Sequence, residues 1–395
     1  MKPTIFAKLS VMMLLEYFIW GSWYVTMGTY MSTFLQSSGV QIGAAYSALA
    51  IATIISPFFV GMIADRFFAA QRILGVLHLT GALLLYSATV VKDNTIFYWI
   101  ILVYSLLYMP TIALSNSIAF GQMTDPGKQF PWIRVFGTVG WIVAGILISS
   151  MGLDKSAVTF NMAAIASLTL GVLSFAMPNT PPKGKTTENP LGTEALVLFK
   201  DKPYLIFFIA AILVCIPLAF YYSFANVFFN DLGMSNVAFK MTFGQISEAL
   251  FILAIPFLFN QIGVKNMLLL GMGAWALRYI FFAFGNVDAG IWMLYAGIIL
   301  HGICYDFFFV TGYMYTEKKA GEKIKNAAQG LFTLATYGIG MVIGARFAGF
   351  TADYYTTDGI HDWQSTWFVP AYIAIGVIVY FIFFFKEKRN PEVVR

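Results

Sequence analysis

Charge is what this chain has least of. Asp, Glu, Lys and Arg make up 11% of its 395 residues, against about 25% in soluble domains, which leaves little chain for a water-soluble domain. Cysteine and histidine are scarce too, at two and three residues. Cys215 and Cys304 both fall inside apolar runs, where they read as small packing residues rather than a disulfide or a metal pair. Neither an H-E-x-x-H spacing nor a G-x-x-x-x-G-K-[ST] loop occurs, so the sequence lacks these markers of a helical zinc site and a phosphate cradle. No small-residue cleavage site follows the first apolar run, which therefore reads as a retained helix. No cofactor, metal or enzymatic activity is expected.

What the chain has in abundance is apolar run after apolar run. Twelve are discernible, at about 6–31, 42–63, 72–91, 96–119, 131–151, 157–177, 203–229, 239–260, 266–285, 290–315, 326–350 and 366–385. A hydrocarbon core of roughly 30 Å needs about twenty apolar residues per helix, so the expected class is all-α and integral to the bilayer. The basic residues are one-sided. With Met1 placed inside, Lys92, Lys155 and Lys240 are the basic residues of the outer segments, while the inner segments hold Lys2, Lys8, Arg66, Arg72, Lys128, Lys183, Lys185 and the remaining loop lysines and arginines. That asymmetry predicts both termini in the cytoplasm, and it accounts for the net charge of +5 without a nucleic-acid partner.

The longest polar break, within residues 179–202, is turn-forming and basic (NTPPKGK at 179–185). It predicts an N-terminal bundle over 1–178, a cytoplasmic linker over 179–202, and a C-terminal bundle with a basic tail over 203–395. Residues 47–59 (SALAIATIISPFF) resemble residues 247–257 (SEALFILAIPF), half the protein further on. Two six-helix halves related by a repeat match the major facilitator architecture, in which the substrate sits at the midplane between the halves. Residues 61–66 (GMIADR) resemble that superfamily's G-x-x-x-D-R signature. There Gly61 would make the turn, and Asp65 and Arg66 would latch one conformation until it is broken; an ordinary positive-inside loop is the plainer alternative.

Ionised side chains at a helix centre cost roughly 2.5–3.5 kcal/mol on insertion scales, so they face a bundle interior or a water-filled cavity. Gln245 and Glu248 stand three residues apart on the eighth run, which puts an amide and a carboxyl on one face. Glu248 is a candidate to be protonated in one state and ionised in another; a permanent arginine pair is the static alternative. Asp306, among Tyr305 and Phe307 to Phe309, is a second proton-carrier candidate, again against a static salt bridge. Arg134, Thr138 and Trp141 follow at i, i+4 and i+7, a stripe of cation, hydroxyl and ring suited to a hydroxylated ligand with a flat part. Packing is the alternative there, since Gly137, Gly140 and Gly145 let another helix approach closely. Glu16, before Trp20, is a further candidate to face a cavity. Arg278 and Arg346 read as structural, and His78 as a satisfied core histidine.

These residues also carry a likeness. The segments 20–23 (WGSW), 61–66, 108–111 (YMPT), 133–138 (IRVFGT), 245–252 (QISEALFI), 306–308 (DFF), 328–330 (AQG) and 359–364 (GIHDWQ) resemble the nucleoside:proton symporter family of the major facilitator superfamily, over essentially the whole chain. The resemblance implies proton-driven nucleoside uptake at the bacterial inner membrane. Arg134, Thr138, Gln245 and Glu248 fall on family substrate-contact positions, and Asp306 on a position linked to coupling. Ribose hydroxyls suit Gln245 and Glu248, and a base could stack on Trp141 or Tyr305. The chain departs from the family at Ala219 and Tyr222, where a Gln and an Asn are usual, and at His301 and Phe309, where a Tyr and an Asn are usual.

The expected function is therefore a proton-coupled nucleoside symporter working by alternating access as a monomer in the bilayer. Its substrate residues are Arg134, Thr138, Trp141, Tyr222, Gln245, Glu248, His301 and Tyr305, and its proton residues Glu248, Asp306 and Glu16. The alternatives are a symporter of another polyhydroxylated metabolite such as a sugar and, more remotely, a membrane sensor that binds without transport.

Overall fold

Apolar runs of this length fold as helices because lipid offers no partner to a backbone N–H or C=O. The computed structural model describes residues 1–59, 68–181 and 193–386. Ten of its helical stretches are long and apolar enough to cross a membrane, from Pro3–Thr33 to Trp363–Phe384. Two shorter helices, Val158–Ser174 and Val237–Phe251, occupy the positions of the sixth and eighth expected runs. The signature at Gly61, Asp65 and Arg66 lies outside the described residues.

The chain forms two compact units, Met1–Pro190 with Ser235–Phe239, and Leu191–Met234 with Lys240–Arg395. The first holds α1 (Pro3–Trp23), α2 (Met27–Thr33), α3 (Gly39–Phe59), α4 (Ala70–Val90), α5 (Asn94–Phe120), α6 (Pro126–Ser150) and α7 (Val158–Ser174). Helices α1 and α2 share one span, broken at residues 24–26. The Tyr46 hydroxyl bridges the break, donating to the Tyr24 carbonyl at 2.8 Å and accepting from the Gly28 N–H at 3.1 Å, so both freed backbone groups stay satisfied. Helix α1 packs on α6 and α7, and α4 on α5 and α7. A Cβ on Gly140 would lie 2.1 Å from the Leu14 carbonyl oxygen, so only glycine allows α6 to approach α1 this closely.

The second unit holds α8 (Lys202–Asp231), most of α9 (Val237–Phe251), α10 (Ile255–Phe284), α11 (Ile291–Ile299), α12 (His301–Tyr305), α13 (Thr311–Thr333), α14 (Met341–Tyr354) and α15 (Trp363–Phe384). Helices α10 and α13 each break at a glycine of positive φ, Gly263 and Gly321. Two wider π-type turns, Asp306–Val310 and Leu334–Gly340, interrupt the tenth and eleventh runs. The first residues of α9 group with the other unit, where Asp154 accepts from the Ala238 N–H at 2.7 Å and Ser149 Oγ from the Phe239 N–H at 2.9 Å. The scarce acids gather at helix starts. Asp93, Asp125, Asp201 and Asp362 cap α5, α6, α8 and α15, satisfying N–H groups that no carbonyl of the helix can reach. Residues Thr356–Thr357 and Ile360–His361 pair as a short antiparallel hairpin, with positive φ at Asp358 and Gly359, as a tight two-residue turn requires.

Candidate functional site

In the first unit a hydrogen-bond network around one carboxyl group joins four helices. Glu16 of α1 is fully buried. Its Oε1 lies 2.6 Å from Thr111 Oγ1 of α5, and its Oε2 3.1 Å from His78 Nε2 of α4. On the far side of the imidazole, His78 Nδ1 is 3.1 Å from Ser167 Oγ of α7. Ser167 donates its own proton to the His78 carbonyl at 2.9 Å, so Nδ1 is the donor to Ser167. One proton then lies between Nε2 and Oε2, on whichever atom holds it. The Tyr108 hydroxyl donates to the Glu16 carbonyl at 2.6 Å. His78 is the satisfied core histidine its position suggested, and its partner is Glu16.

The stripe on α6 keeps to one face. Arg134, Thr138 and Trp141 are all half-buried. The Arg134 guanidinium lies 4.1 Å above the Tyr17 ring, and Trp141 meets Trp20 edge-on at 5.6 Å. Gly137 and Gly140 also take part, the former against Tyr17 and the latter against the α1 backbone. Packing and a ligand-suited stripe thus share this helix on neighbouring positions.

The second unit gathers the other candidates around His301. Its ring stacks on Tyr221 at 5.3 Å, lies tilted against Tyr305 at 5.7 Å, and meets the Tyr222 ring edge-on at 6.5 Å. His301 Nε2 lies 3.8 Å from Glu248 Oε2, with His301 buried and Glu248 about one-third exposed (35%). Gln245, one turn before Glu248 on α9, is half-buried. Gly302 lets α12 and α9 touch, since a Cβ there would come within 2.5 Å of the Ser247 backbone. The Tyr305 hydroxyl is hydrogen-bonded to that of Tyr337, so the two π-type turns meet near this cluster. Asp306 is fully buried and neither carboxylate oxygen has a hydrogen-bond partner. No static salt bridge to it occurs among the described residues. Ala219, one of the departures from the family pattern, is buried against Gly344 of α14. Cys215 and Cys304 are free thiols, both buried.

Arg278, read from the sequence as structural, is fully buried, 3.0 Å from His301 Nδ1 and 3.4 Å over the Tyr221 ring. Ser167, Tyr221 and Tyr337 were missed altogether, and Thr111 entered only within the 108–111 segment, with no role given to it. Hydroxyls and rings are common in apolar runs, so nothing in their spacing singled them out; Arg278 alone carried a signal, its charge.

Comparison with known proteins bears on this arrangement. The sequence profile of the nucleoside H+ symporter family matches residues 3–390. The chain is 42% identical to the putative nucleoside transporter YegT of Escherichia coli over 99% of this chain and 95% of the relative. It is 38% identical to the xanthosine permease of the same organism, over 98% and 97%. The crystal structure of the nucleoside transporter NupG superposes with a TM-score of 0.91 at 32% identity, covering 97% of this chain and all of that one. The fold is therefore that of a twelve-helix major facilitator transporter, a multi-pass membrane protein and not an enzyme. The chain belongs to the nucleoside H+ symporter family.

Proposed function

We propose that the ligand is held through its sugar by Gln245, Glu248 and His301, with Tyr222 and Tyr305 beside them, and that Arg134, Thr138 and Trp141 offer its base a cation, a hydroxyl and a ring. The observation that carries this reading is the Glu248 carboxylate, part exposed beside an aromatic cluster and 3.8 Å from a buried imidazole. Glu248 is the proton carrier in this account. Asp306, with two unpartnered oxygens, is the second, and Glu16, which shares a proton with His78, the third. The two six-helix halves act as the moving parts, and residues 61–66 supply the latch. A monomer in the bacterial inner membrane with both termini in the cytoplasm completes the proposal.

Replacement of Glu248 by Gln tests it. The amide keeps hydrogen-bonding capacity but carries no exchangeable acid proton, so concentrative uptake of uridine into proteoliposomes should be abolished while counterflow exchange persists. Accumulation that survives unchanged removes Glu248 as an essential carrier. Competition by free base, ribose and intact nucleoside separates the leading reading from uptake of another polyhydroxylated metabolite, which the Tyr222 departure favours: a nucleoside site ranks the intact nucleoside first, a sugar site does not.

A further inference from the structure

Arg278 is a buried charge in the second unit to which the reading above gives no role. It is fully buried on α10, and among the described residues no carboxylate lies within ion-pair distance of it. Its charge rests on the Tyr221 face at 3.4 Å, with Phe282 at 5.5 Å and Trp275 at 5.7 Å. Its NH1 lies 3.0 Å from the lone pair of His301 Nδ1. A buried cation without an acid is expensive, and that expense asks for a function.

We propose that Arg278 is a positioning residue that sets which nitrogen of His301 carries the ring proton, and so makes His301 a hydrogen-bond donor toward Glu248. A guanidinium has five donors and no acceptor. The Nδ1 atom that meets it must therefore present a lone pair, and while that bond stands the ring proton is on Nε2. The ring is held in this orientation by Tyr221 and Tyr305 on its flanks and by α9, where even a Cβ on Gly244 would lie 3.1 Å from the His301 Cβ.

The consequence falls on the other edge of the imidazole. The 3.8 Å between His301 Nε2 and Glu248 Oε2 is too long for a direct hydrogen bond. With the proton on Nε2 the gap has a donor on one side and an acceptor on the other, and the group that satisfies both is one that accepts and donates at once, a hydroxyl. With the proton on Nδ1 both sides would be acceptors, and a hydroxyl would lose one of its two bonds. Arg278 thus selects for a hydroxyl at this point without touching the ligand. This selection rests on the reading of Glu248 and His301 as ligand-facing; the placement of the proton does not.

The test has two arms. The chain has three histidines, so nitrogen NMR of protein labelled with 15N-histidine in lipid can follow His301, identified by the signal lost in His301→Gln. A protonated Nε2 and a bare Nδ1 are expected in the wild-type chain, and movement of the proton onto Nδ1, in whole or part, in Arg278→Met. A wild-type proton on Nδ1 or on both nitrogens overturns the proposal, as does an unchanged tautomer in a folded Arg278→Met. The wild-type spectrum decides by itself should that variant fail to fold.

The second arm is uridine uptake. Arg278→Met should raise the half-saturation concentration about tenfold, the scale of one hydrogen bond, with the maximal rate little changed, and Arg278→Lys, which keeps a donor, should restore most of it. Glutamine at a histidine position brings its own amide donor and has no tautomer to set, so in the His301→Gln background Arg278→Met should cost less than about twofold more. An equal cost in both backgrounds would mean that Arg278 is merely structural. If the wild-type chain takes up no uridine, the nucleoside reading falls while the NMR arm still judges the proton's placement.

Discussion

The Glu16 network allows a prediction whose size can be worked from its partners. In Glu16→Ala, His78 Nε2 and Thr111 Oγ1 lose the atoms they face at 3.1 and 2.6 Å, and both residues are only 1% exposed. Each buried group left without a partner costs about 1–3 kcal/mol, and breaking a buried pair from one side about 3–5 kcal/mol. Taking about 4 kcal/mol, and about 2–4 °C per kcal/mol for a unit of this size, the midpoint of thermal unfolding should fall by roughly 8–16 °C. Glu16→Gln should behave differently. Its amide oxygen still accepts from Thr111, and its N–H donates to an Nε2 that is bare when Nδ1 serves Ser167, so every partner is kept and the loss should stay below about 1 kcal/mol. Unfolding of the purified protein in detergent, followed by circular dichroism and tryptophan fluorescence, measures both. Equal losses for the two variants, or no loss for alanine, would refute the hydrogen-bond assignment. Because an amide releases no proton, a stable Glu16→Gln chain that still accumulates uridine would also remove Glu16 from the proton path.

Two further predictions concern the scaffold. Gly140→Ala sets a Cβ 2.1 Å from the Leu14 carbonyl, backbone against backbone, and should cost at least the 1–3 kcal/mol typical of overpacking; Gly376→Ala, where no heavy atom lies within 4 Å, should leave the unfolding midpoint within a degree or two. The Asp362 cap of α15 should show its charge as a pH dependence. Hydrogen bonds from Ser365, side chain first and then backbone N–H, hold the Asp362 carboxyl below the ordinary carboxylate value. The stability its ionised form contributes is present above that ordinary value and is lost as pH falls through the lower native one. Asp362→Ala should therefore cost about 0.5–2 kcal/mol at pH 7 and progressively less in acid; a gap to the wild-type chain that is as large in strong acid as at pH 7 would contradict the assignment.

The run lengths that make this a twelve-helix protein are legible because each helix must satisfy its own backbone in lipid, and length alone then betrays it. The shared face of Arg134, Thr138 and Trp141 is legible for the same local reason, the helical period. What the sequence does not disclose is who meets whom. Glu16 and His78 are 62 positions apart, Arg278 and His301 23, and neither pair has a spacing that marks it. Helices that are apolar on every side carry no stripe to say which face is inward, so Arg278 could be recognised as expensive but not assigned to His301. The break at residues 24–26 was hidden too, because its repair comes from the Tyr46 hydroxyl of another helix.

Coupling of nucleoside to proton is the central claim, and uptake of labelled uridine and adenosine into proteoliposomes, with and without an imposed inward proton gradient, tests it most directly. At about 100 mV one charge supplies roughly 2.3 kcal/mol, enough for roughly fiftyfold accumulation at 1.4 kcal/mol per decade. The account predicts accumulation approaching that level with the gradient and equilibration to equal concentrations when an uncoupler removes it. Uptake that is the same with and without the gradient would contradict it.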